Sequence, residues 1–108
     1  MHLSVHSFTP TLDPAGRVFD VGVLYEPAHA FEAELAERLL FQLRSSGLAV
    51  RANQPYTGVG PAICTSFRAE RSGERYAGIQ LETSHAVTES ADGCERVAAA
   101  IVPFLESL

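Results

Sequence analysis

The chain reads as an α/β domain, a mixed and partly parallel sheet flanked by helices, and three observations predict this. Strand-like apolar runs recur near residues 2–8, 18–25, 48–53 and 77–82. Helical periodicity fills the stretches between and after them. Turn residues punctuate the joins, and strands that alternate with helices come back parallel in one sheet.

The first strand, His2-Leu3-Ser4-Val5-His6-Ser7-Phe8, alternates. Leu3 and Val5 point one way, and His2, Ser4, His6 and Phe8 the other. Asp13-Pro14-Ala15-Gly16 is a turn signal. Val18 to Tyr25 is almost continuously apolar, as a strand covered on both faces should be. The longest helix is expected from Ala28 to Arg44. There Phe31, Leu35, Leu39 and Leu43 recur every four residues, Leu40 widens the stripe, and Gly47 stops it. A shorter helix is expected to open at Gly60-Pro61, bury Ile63 and Phe67, and end by Gly73. The last helix aligns Val97, Ile101, Phe104, Leu105 and Leu108, with Pro103 inside it.

At 108 residues the chain is a single domain or part of one. Apolar residues make up 46% and charged ones 19%, which leads us to expect an apolar face covered by a second copy or by an upstream segment. The net charge of −5 argues against a nucleic-acid partner. Every basic residue is arginine. Cys64 and Cys94 form no disulfide framework, and no leader or membrane-length apolar run is visible, so a cytoplasmic location is expected. Strand character begins directly after Met1, from which we expect an incomplete domain.

Several side chains stand out as chemistry. His2 and His6 are four residues apart on a strand, about 13 Å, too far to share one zinc. His6, near the carboxyl end, is the better ligand candidate, although such a histidine is more often an ordinary hydrogen-bonded residue. Glu82 follows an apolar strand, where a carboxylate is costly unless paired, metal-bound or solvated. Ligand crevices in open α/β sheets lie at the carboxyl ends of strands, which makes Glu82 the strongest candidate, against a structural ion pair with an arginine. Glu82-x-x-His85 has a helical metal spacing, but a continuing strand would put the two on opposite faces. The loop Asn53-Gln54-Pro55-Tyr56-Thr57-Gly58 is a strand-to-helix connection or a substrate-contacting loop that presents Asn53 and Tyr56. Thr65 and Arg68 sit one turn apart, where Arg68 can clamp a carboxylate; Arg17 can do the same from the turn before the second strand.

In series, His6-Ser7-Phe8-Thr9-Pro10, Arg17 with Asp20 to Tyr25, Asn53-x-Pro55-Tyr56-x-Gly58, Thr65-x-x-Arg68 and Tyr76 to Glu82 resemble the N-formylglutamate amidohydrolase family. The resemblance covers nearly the whole chain but only the carboxyl-terminal part of the family, which is similar in fold to the zinc carboxypeptidases. It implies a phosphorylase/hydrolase-like α/β sandwich, zinc as cofactor and an N-acyl amino acid as substrate. It also implies His6 as a zinc ligand, Glu82 as the general base, and Arg68 with Tyr56 or Asn53 orienting the substrate. The family's upstream segment with the remaining ligands has no counterpart in this sequence, and catalytic zinc takes about three protein ligands. The competing expectation is a non-catalytic binding or assembly module derived from the same fold.

Overall fold

A computed structural model of the chain describes residues 1–9, 19–60, 63–71 and 75–108. Eight elements follow in order: β1 (His2–Phe8), β2 (Val21–Leu24), α1 (Ala30–Ser45), β3 (Val50–Ala52), α2 (Ile63–Glu70), β4 (Gly78–Ser84), α3 (His85–Thr88) and α4 (Ala91–Glu106). The strands form one sheet in the order β1-β4-β2-β3. The β1–β4 and β2–β3 pairs are parallel, and β2 runs antiparallel to β4, so the sheet is mixed.

Alternation along the strands sorts the residues into two layers. Val21, Val23, Ile79 and Leu81 are fully buried on one face, against Leu35, Leu39, Leu40 and Leu43 of α1 and Ala100 and Phe104 of α4. The α1 stripe falls where its spacing places it. His29 caps the amino end through Nδ1, which accepts from the Glu32 N–H at 3.2 Å. Gly47, at φ 81°, follows the C-cap and lets the chain turn out of the helix. β4 is buried at all seven positions because sheet neighbours flank it and helices cover both faces.

On the opposite face lie α2 and the loop after β3. Cys64 of α2 brings its Sγ to 4.0 Å from Ser4 Oγ and 3.8 Å from His2 Nδ1. The loop is pinned by Asn53, whose φ of 53° is a left-handed conformation that asparagine tolerates.

Some expectations need correction. β2 and β3 are shorter than their apolar runs, while β4 extends two residues past Glu82. Ile63 is 53% exposed, and Cys64 takes the buried place expected of it, because α2 meets the sheet along Cys64, Phe67 and Arg68. Leu105 and Leu108 are exposed, since α4 turns Ala100 and Phe104 toward α1. α3 is an additional single turn with no apolar periodicity to announce it. The turn at residues 13–16, Arg17, Pro61 and Gly73 lie outside the described residues.

Candidate functional site

Parallel pairing of β1 with β4 sets His6 opposite Glu82 in direct register. Register partners in a sheet project to the same side, so imidazole and carboxyl share the face that also carries Ser4 and Gln80. The antiparallel neighbour at this level is Gly22. His6 is exposed, whereas Glu82 is 7% exposed. Burial holds the Glu82 carboxyl above the ordinary range, and the nearby His6 partly counters this. Among the described residues no arginine pairs with Glu82, so the structural ion pair weighed from sequence does not form there.

The glycine opposite Glu82 has a steric reason. A Cβ on Gly22 would lie 1.7 Å from the Gln54 carbonyl oxygen, so the loop presses on the sheet beside the carboxyl. Gly58 likewise packs onto the Tyr25 backbone, where a Cβ would meet it at 2.2 Å. Asn53 Oδ1 accepts from the backbone N–H groups of Tyr25 and Gly58, both at 3.0 Å. Its side chain therefore holds the loop's shape. Tyr56, on the same loop, is exposed. Thr65 Oγ1 donates to the Gly60 carbonyl at 2.7 Å.

Arg68 is engaged inside the protein. Its guanidinium forks onto Glu32, with Nη2–Oε1 at 2.6 Å and Nε–Oε2 at 3.1 Å, and it also donates to the carbonyls of Gly78 and Gly58. Glu32 is fully buried and further accepts from the N–H of Gly78 at 2.8 Å and of Glu26 at 2.7 Å. One carboxylate thus joins α1, α2 and the start of β4. Sequence reasoning missed Glu32, though a signal exists: it lies three and four positions before Leu35 and Ala36, on the buried stripe of α1, where a lone carboxylate needs a partner.

A second polar cluster sits at the amino end of the same face. His2 bonds Ser4 Oγ through Nε2 at 2.9 Å and Tyr76 OH through Nδ1 at 3.2 Å. Burial, and then the neighbouring Cys64, push the Tyr76 phenol up to about 12. Burial also raises the Cys64 thiol, which keeps it protonated at neutral pH. His85 faces away from Glu82 and bonds Ser7 Oγ at 3.1 Å and Thr9 Oγ1 at 3.2 Å. Among the described residues no three His, Cys, Asp or Glu side chains converge to hold a metal ion, and no helix is long and apolar enough to cross a membrane.

No protein-family model and no curated protein matches the chain. Solved structures do. A gene product of Agrobacterium tumefaciens is similar at 22% identity and a TM-score of 0.63, over 94% of this chain and 38% of its own. An N-formylglutamate amidohydrolase from Ralstonia eutropha is similar at 20% identity and a TM-score of 0.68, over 97% of this chain and 41% of its own. The chain therefore spans about two fifths of these neighbours. At such identities the likeness establishes the fold, a mixed α/β sheet that this chain shares with a carboxyl-terminal portion of the amidohydrolase.

Proposed function

We propose that this chain is part of a zinc-dependent amidohydrolase that cleaves the amide of an N-acyl amino acid, to which it contributes Glu82 as general base and His6 as one zinc ligand. The observation that carries this reading is the direct register of exposed His6 with buried Glu82 on one sheet face. The substrate class comes from the name of the Ralstonia neighbour, an N-formylglutamate amidohydrolase.

The described residues fit zinc only in part. His6 is one nitrogen donor, and the set of about three that a catalytic zinc needs is not reached among them. The remaining donors lie outside the described residues. What this chain's residues do can still be stated. Glu82 takes a proton from the attacking water and returns it to the departing nitrogen. Burial raises its proton affinity, the direction that favours the first transfer. Asn53 shapes the wall beside Glu82, and Arg68 acts through Glu32 to hold α2 and β4 in place. Contact with the substrate carboxylate falls to Tyr56 on this wall and to Arg17, while the Thr65 hydroxyl, which donates to the Gly60 carbonyl, braces the start of α2.

The test measures N-formylglutamate hydrolysis and bound zinc for the 108-residue chain and for the chain joined to a preceding segment that carries further His and Glu ligands. Zinc-dependent release of formate is expected from the joined protein alone. It should vanish in Glu82→Gln with zinc retained. A joined protein that is zinc-loaded yet inactive would favour the binding-module reading.

A further inference from the structure

His85 opens α3 directly after β4, three positions beyond Glu82. Its imidazole crosses from there to the carboxyl end of β1. Nε2 lies 3.1 Å from Ser7 Oγ and Nδ1 lies 3.2 Å from Thr9 Oγ1, so both ring nitrogens are engaged. Each hydroxyl can donate or accept, and the two bonds therefore form with either tautomer of the ring. The turn that carries the ring is itself fixed. Ser84 Oγ accepts from the Ala86 N–H at 3.3 Å, and the Ser84 N–H donates to the Asp20 carbonyl at 2.8 Å.

The grip falls beside the candidate site. Ser7 follows His6 directly and pairs in register with Thr83, the residue after Glu82. Successive strand side chains point to opposite faces, so His85 holds the backbone from the side opposite His6 and Glu82. Side-chain packing in this chain does little for that stretch: Val5, His6 and Ser7 are exposed, whereas every residue of β4 is buried. Phe8 is the exception, buried with its ring centroid 5.1 Å from that of Phe19. Phe8 on the His6 face and His85 on the other thus clamp the end of β1 from both sides.

We propose that His85 is a positioning residue for the candidate site: its bond to Ser7 fixes the end of β1 against β4 and so holds His6 across from Glu82. The Glu82-x-x-His85 spacing is then a holding device and not a ligand pair, because the ring faces away from Glu82 and both nitrogens are taken up by Ser7 and Thr9. A strand end held by its backbone ladder alone frays. A displacement of about 1 Å between groups that act together can cost about a hundredfold in rate. That consequence for hydrolysis rests on the hydrolase reading; the clamp itself does not.

Nuclear magnetic resonance on the 108-residue chain tests the clamp. His85→Ala is expected to weaken the cross-strand contacts between His6 and Glu82. It should also speed amide exchange at the β4-bonded positions of residues 6–8 about tenfold or more, with α1 and β2 still protected. His85→Gln sets an amide where Nε2 meets Ser7 and should restore the wild-type pattern; His85→Asn reaches only toward Thr9 and should restore less. Residues 6–8 that exchange in His85→Ala as in wild type overturn the clamp, and so does a loss of protection spread evenly over all elements. In the preceding-segment fusion, His85→Ala should lower kcat about tenfold or more with KM unchanged, and His85→Gln should recover it. An active fusion indifferent to His85→Ala removes the positioning role. An inactive fusion with the clamp intact removes the hydrolase reading alone, so the two fail separately.

Discussion

At Glu82 two influences oppose each other on one carboxyl: burial raises its proton affinity and His6 lowers it, with burial the stronger. A carboxyl whose folded-state affinity is raised stabilises the fold most when protonated, at low pH, and that contribution is lost as pH rises through the folded-state value. Glu82→Gln should therefore raise the unfolding midpoint at pH 7, and the gain should shrink as pH falls below the ordinary carboxylate range. Thermal scans across pH check this. Substitution at Glu32 is expected to destabilise the fold. Its carboxylate is fully buried and satisfied by Arg68, Gly78 and Glu26, so Glu32→Ala strands a largely buried guanidinium and should cost roughly 3 kcal/mol. Urea unfolding measures it. The strand pattern made Glu82 legible as a candidate. The Glu32–Arg68 pair was not, because its members are 36 positions apart and meet only when α1 and α2 approach the start of β4.

Element by element, the loop after β3 shows how much a site depends on backbone contact. Gly22 and Gly58 admit the loop onto β2, and Asn53 ties its two ends. Gly22→Ala forces a Cβ into the Gln54 carbonyl, and neither backbone can yield cheaply. It should destabilise the fold by roughly 1–3 kcal/mol and move the loop away from Glu82. Unfolding curves give the first, and chemical-shift changes confined to residues 53–58 and their neighbours on β2 and β4 give the second. The sequence showed a Gly in an apolar strand and a turn-rich loop, but nothing in it said that the two touch. Helix α2 teaches a related lesson. With eight residues it has too few turns for periodicity to fix which side is buried, so Ile63 and Cys64 exchange expected roles.

As a whole molecule the described chain has one apolar core, formed where α1 and α4 cover Val21, Val23, Ile79 and Leu81. Leu81→Ala opens a cavity in its centre and should cost about 2–5 kcal/mol, with unfolding still a single transition by circular dichroism and tyrosine fluorescence. Separate transitions by the two probes would show that the core is not continuous.

By itself the sequence determined the elements whose signal is local: the strand alternation of β1, the four-residue stripe of α1 and its stop at Gly47, and an α/β class from their alternation. These follow from side-chain periodicity and backbone sterics, which act over a few residues. Tertiary structure alone decided the strand order β1-β4-β2-β3, and with it that His6 stands beside Glu82 across 76 positions of sequence. It also decided that Arg68 turns inward to Glu32 and that Val5 is left exposed on β1. Each of these depends on which surfaces exclude water from one another, a property of the packed assembly that no local stretch of sequence contains.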